Sequence, residues 1–466
     1  MSHQDHGRCS GTCFHFQALN EAICWLWKEI DFSGLRLRSD CTWSARALVT
    51  AALLWSWSDE LTLVDRFRKA RQIACKSLGI RSPPASSYQA FLKLLNKWTP
   101  HFVELLTLAF RRRMKQRFPD RLRIAGFFAF GADGSRIELP RTRSNEETYA
   151  AACSKRSRKR KRNPRRKTDS EEKNTTQIWI TTLWHLGTQL PWSWRLGPCD
   201  SSERDHLSAM LRELPRDSLM VIDAGFYGYN LWCEMSAAGS EFIVRVGSNV
   251  HLLKKLAYTR TRGDLVYFWP VREARRRQPP LVLRLVVLQG KRHPVYLLTS
   301  VLSDKRLSRR NVARLYGKRW GIDLFYRNLK QTFDRRKLRS RNAANANTEA
   351  QWSLLGLWAM ALHAQHYQRS QRLDPNQLST AGMLRAYRRA MREYKSRPEP
   401  GEDLHSMLVV ALKDDYQRTN PKTNDDYPRK IQRKPAGPPN IKNATPWQRR
   451  RAEQIKQSGI TKGLTA

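Results

Sequence analysis

The sequence predicts an α/β protein. A core of alternating strands and helices follows a helical segment, holds a β-rich insertion, and is followed by helices and a basic tail. Three observations carry this reading. Apolar residues recur at helical spacing through residues 1–118. From about 119 short apolar runs alternate with helical stretches, as in an α/β core. Between 247 and 300 short apolar runs with turn residues between them read as strands.

The elements follow in order. Helices are expected at 18–27, 44–57 and 61–78, then at 86–98 and 102–115 with Pro100 separating the last two. Ser86-Ser87 offers an N-cap. Together these make a small helical domain, 1–118, whose basic faces could hold DNA; a solvated helix face is an equal reading for any one cation. The core opens at 119–246. Its strands are expected at 124–131, 178–186, 192–196, 219–222 and 241–246, and its helices at 202–214 and 229–237. Ser202 and Asp205 approach a capping box. Strands at 265–269, 281–288 and 294–299 form the insertion, 247–300. A long helix from about 308 to 332 opens the segment 301–414, and two more are expected at 349–369 and 379–394. Residues 155–167 hold ten Lys/Arg in thirteen positions, so a disordered basic loop is expected at 154–172. Residues 415–466 carry twelve basic and four acidic residues and read as a disordered basic tail.

The chain has 466 residues, of which 40% are hydrophobic, so it can bury a sizeable core. Its formal net charge is +44, a surplus that self-repels unless a polyanion is the partner. Nucleic acid is the first reading and an anionic membrane surface the second. No apolar run reaches the roughly 18 residues of a membrane span. The first residues lack a basic-then-apolar signal, so a cytosolic, nucleoid-associated protein is expected. Eight cysteines in so long a chain make no disulfide framework and should be reduced. Cys9 and Cys13, with His3, His6 and His15 nearby, hint at zinc, but the spacing fits no strong pattern, and an inert terminal segment is the better reading.

Three acids stand where chemistry could use them. Asp133 follows an apolar strand and precedes Gly134; Asp223 ends a buried strand and precedes Ala-Gly; Asp323 lies in the long helix. Two carboxylates at the ends of adjacent strands put hard oxygens within reach of one ion and suit Mg²⁺ or Mn²⁺. Taken singly, each strand-end Asp reads as a turn more often than as a ligand. The helix sharpens the case. At about 100° per residue, Tyr316, Arg319, Asp323 and Lys330 share a sector roughly 60° wide, and Arg327 sits at its edge. A carboxylate for a metal, with Arg and Lys for phosphates, is what phosphodiester chemistry requires. Helix salt bridging is the alternative role of Arg319 and Arg327.

With these residues in view, the sequence resembles the DDE transposases of bacterial insertion sequences, specifically the insertion-sequence-four group. That group's third-acid helix carries Tyr-x2-Arg-x3-Glu-x6-Lys. Tyr316, Arg319 and Lys330 match it in register, with Asp323 in the Glu position. The contexts of Asp133 and Asp223 are also similar, as are 201–207, 242–247 and 434–439. The resemblance covers about 120–365. It implies a ribonuclease-H-like catalytic core with a β-rich insertion between the second and third acids. It implies a metal-dependent enzyme that cuts transposon ends and joins the freed 3′-OH to target DNA. Its partner would be double-stranded DNA, both ends and target, held by a dimer in a synaptic complex, with no membrane. Asp133, Asp223 and Asp323 would then hold two Mg²⁺ or Mn²⁺ ions, and Tyr316, Arg319, Arg327 and Lys330 would contact DNA. Asp323 departs from the pattern, being one methylene shorter than Glu.

Trp232 and Trp269 are candidates for stacking on an unpaired base, with core packing the better reading of each. Three alternatives to a working transposase stay open: a catalytically inactive DNA-binding derivative, a nuclease of the same core that does not join strands, and a basic RNA-binding protein.

Overall fold

The computed structural model describes residues 15–28, 30–35, 37, 41–80, 87–150, 176–258, 264–290, 293–414 and 437–458. The expected basic loop at 154–172 and the Cys9/Cys13 segment lie outside these residues, apart from His15. The chain divides into two units, one of residues 1–117, 137–178 and 327–415, the other of 118–136, 179–326 and 416–466.

The first unit is helical. His15–Trp27, Ala45–Trp57, Leu63–Ser77 and Tyr88–Arg117 come from the N-terminal part. Ala343–Ser370, Thr380–Arg392 and Leu404–Val409 come from beyond the third acid. The helices expected at 1–118 are thus part of a larger helical unit, in which the two sets pack together. The Trp57 indole donates to Gly356 O at 2.9 Å, and the Trp352 indole donates to Thr99 Oγ1 at 2.9 Å. The expected break at Pro100 is also corrected. Tyr88–Arg117 runs through it, because Phe91, Leu92, Leu95, Phe102, Leu106, Phe110 and Met114 form one buried stripe. That burial outweighs the one backbone bond the proline removes.

The second unit is built on a ten-stranded mixed sheet. Its strands are β1 Phe128–Glu138, β2 Gln177–His185, β3 Leu190–Gly197, β4 Ser218–Ile222 and β5 Glu241–Val246, then β6 His251–Lys254, β7 Leu265–Phe268, β8 Leu281–Leu288, β9 Val295–Thr299 and β10 Asn440–Asn443. The spatial order is β10-β6-β7-β8-β9-β5-β4-β1-β2-β3. β1 pairs parallel with β4, and β4 parallel with β5. β5 pairs antiparallel with β9. Through that pairing the β-rich insertion continues the core sheet. β4, covered on both faces, is buried at every residue and apolar at all but Ser218.

Two further expectations are corrected here. The tail is ordered over part of its length: β10 adds to the edge of the sheet beside β6, and Pro446–Gln457 forms a helix capped by a Thr445–Gln448 capping box. Its anchors, Ala444, Ala452 and Ile455, are few and scattered among polar residues, so composition alone hid them. The long helix is segmented: Arg309–Lys318, capped by Ser308, then Trp320–Arg327, then a π-helical turn at Asn328–Thr332. The uniform turn angle that set Lys330 in line with Asp323 is therefore broken between them. Among the described residues no helix is long and apolar enough to cross a membrane.

Candidate active site

The site is set by strand register. Gly131 lies opposite Val221 in the parallel β1–β4 pair. Continued two residues past the paired stretch, that register would set Asp133 level with Asp223, on neighbouring strands about 4.8 Å apart. Both carboxylates then leave the same face. Asp133 does not end its strand as expected; β1 continues to Glu138. Asp223 does end β4, and a 3₁₀ turn, Ala224–Phe226, follows it.

The helix Trp320–Arg327 lies across this face. The Arg319 stem passes over Gly131, where an added Cβ would meet its Cγ at 3.7 Å. The Phe325 ring lies 4.9 Å from Trp184 of β2. The Tyr326 hydroxyl reaches Asp133 O at 2.9 Å. Asp323 is thus brought to the two strand aspartates.

A fourth carboxylate joins them. Glu203 opens the helix Glu203–Met210, which Ser202 caps. A Cβ on Gly134 would lie 2.5 Å from Glu203 Oε1, and one on Gly225 would lie 3.6 Å from Oε2. The carboxylate therefore sits between the glycine after Asp133 and the glycine two beyond Asp223. Sequence reasoning caught Glu203 only as part of a similar stretch. The signal was Gly134, which a side chain cannot replace without displacing Glu203 or Trp179.

The electrostatics follow from four like charges in a partly dry place. Burial raises the Asp133 carboxyl to about 6, and Asp323 and Glu203 add to the rise. The Gly134 N–H and Arg319 oppose it. Burial also raises Asp323, with Asp223 adding and Arg319 opposing. Glu203 is raised by burial, against Arg136 and Arg204, with Asp223 adding to the rise.

The cations and phenol close around this group. Arg319 is buried and its Nη1 stands 3.7 Å from Asp323 Oδ2, so the helix salt bridge is the contact it makes. Tyr316 donates to Asp223 Oδ1 at 3.4 Å, and Arg245 Nη1 stands 3.9 Å from the same oxygen. Arg327 is exposed and Lys330 half-buried; both belong to the helical unit. Glu349, a buried acid of that unit, accepts from the Arg339 and Ser340 amides and the Ser340 hydroxyl. Trp232 and Trp269 are buried with their indoles bonded to Phe226 O and Gln278 O, so core packing is their role. The exposed indole beside the site is that of Trp320.

The donor set suits a divalent cation. Its oxygens are hard, they repel one another, and the buried Asp323 Oδ2 has no hydrogen-bond partner. Among the described residues no three acidic, His or Cys side chains close on one point as they stand.

Residues 132–359 match the family model of the transposase DDE domain. Over that stretch the chain carries a transposase DDE domain, similar to that of the insertion-sequence-four type. It is 26% identical over 274 residues to the transposase InsG for insertion sequence element IS4 of Escherichia coli (strain K12). That match covers 54% of this chain and 60% of the relative, so the chain spans about three fifths of the relative's length. Among solved structures it is similar to a piggyBac transposase synaptic complex with hairpin DNA. The identity is 12%, 90% of each chain is covered, and the TM-score is 0.39, too slight a likeness to argue from.

Proposed function

We propose that the protein is a transposase that binds transposon ends, cuts the DNA there and joins the 3′-OH to target DNA. The observation that carries this is the register that, continued, would set Asp133 level with Asp223 under the Asp323 helix. First acid on a central strand, second at the end of its parallel neighbour and third on a crossing helix also supports a ribonuclease-H-like core.

Asp133, Asp223 and Asp323 would hold Mg²⁺ or Mn²⁺, two ions in all, with Glu203 between the first two. Bound there, the ions would polarise phosphoryl oxygens and ease ionisation of the attacking hydroxyl. The chain's own groups do the rest. Tyr316 and Arg245 orient and neutralise Asp223. Arg319 steadies Asp323 before the cations bind. Tyr316, Arg319, Arg327 and Lys330 remain the candidates for DNA contact, Arg327 being the most accessible. Trp320, next to Arg319, offers an open ring for stacking on a base. The synaptic complex would be a dimer.

The test is cleavage of a supercoiled plasmid carrying the DNA that flanks this gene, with Mg²⁺ or Mn²⁺, followed by strand transfer from a precut end. Nicking and joining are expected. Nicking without joining would leave a nuclease. A second reading, an inactive DNA-binding derivative, is favoured by one observation: Asp323 is a short acid already paired with Arg319. Asp323→Glu separates the two. A silent parent with an active Glu variant would establish the derivative; an active parent, silenced by Asp323→Asn, would exclude it.

A further inference from the structure

We infer that Tyr326 is a positioning residue of the carboxylate site, holding the Asp133 carboxylate in line with the helix that carries Asp323. The inference rests on the proposed function of that site. Tyr326 follows Asp323 by three residues, within one helical turn, so the two side chains leave neighbouring parts of one helix face. The ring is buried. Its hydroxyl ends 2.9 Å from Asp133 O, 3.2 Å from Ile180 O and 2.9 Å from Thr182 Oγ1. A phenol has one proton to give. It donates that proton to a carbonyl and accepts the one Thr182 offers.

The peptide that receives this bond has a second end. Its carbonyl belongs to Asp133 and its N–H to Gly134, so the bond holds the backbone from which the Asp133 side chain leaves. The peptide is one rigid plane. Fixing the carbonyl therefore fixes the plane next to the Asp133 Cα, and with it the point from which the carboxylate is aimed. The same phenol is tied through its own backbone to Asp323. One side chain thus links the first acid to the third, through a residue outside the Tyr316, Arg319, Asp323 and Lys330 signature. A Tyr that only filled the core would need no bond to this particular peptide.

The test uses the full chain with Tyr326→Phe, which keeps the ring and removes only the hydroxyl. Mn²⁺ affinity is measured by calorimetry without DNA. Controls are the thermal midpoint and end binding in chelator. Mn²⁺ binding is expected to weaken about 10–100-fold, the usual scale for losing an outer partner of a metal ligand. End binding should be unchanged, and the Mn²⁺ needed for cleavage should rise in parallel. Thr182→Val should shift affinity the same way by less, and it replaces the Phe variant if that does not fold. Parent-like Mn²⁺ affinity in the folded variant would overturn this inference alone. A parent that binds no Mn²⁺ would overturn both it and the function it rests on.

Discussion

At the scale of residues, the site carries a cost that can be measured without DNA. The ordinary Asp value is 3.8, and in the folded, metal-free protein Asp133 is raised to about 6. A group raised by folding lends full stability below its unfolded value and loses it as pH rises through the folded value. The window here is about pH 4 to 6, and a shift of this size is worth up to about 3 kcal/mol. Asp133→Asn cannot ionise and escapes the loss. In metal-free buffer its thermal midpoint should match the parent's near pH 4 and exceed it above pH 7. A difference that stays flat with pH would mean that neither burial nor the neighbouring acids raise Asp133. Asp133, Asp223 and Asp323 were legible as candidates because each breaks an apolar pattern. Glu203 and Tyr326 were not, since a carboxylate between two glycines and a phenol on a distant peptide exist only after folding.

Elements were legible where the pattern was local. Ser44, Ser202 and Ser308 each cap a helix near its expected start. The failures were tertiary. Pro100 ends a helix by local rule, yet burial on both sides carries the helix through. Asn440–Asn443 has no strand pattern; it is a strand because β6 offers it an edge. Where helices cross, the fit is close enough to test. A Cβ on Gly356 would lie 2.1 Å from Ser56 Oγ and 3.1 Å from Trp57 Cδ1. Gly356→Ala must part the helices Ala45–Trp57 and Ala343–Ser370, and overpacking of this kind costs about 1–3 kcal/mol. Urea unfolding would measure it. An unchanged midpoint would show that this crossing is looser than the geometry says.

At the scale of the whole molecule, the charge of +44 suits a polyanionic partner, and the proposed one is DNA. Each phosphate neutralised should contribute about −0.9 to the slope of log affinity against log salt. Duplex binding should therefore weaken steeply between low and physiological salt; a shallow slope would mean that the surplus charge faces something else. The proposed function turns on Asp133 and Asp223 as the centre where DNA would be cut. The most direct measurement compares parent, Asp133→Asn and Asp223→Asn for cleavage and for binding of an end-bearing duplex under the same Mn²⁺. Both variants should bind the duplex as the parent does and leave it uncut. Parent-like cleavage by either one would contradict the account.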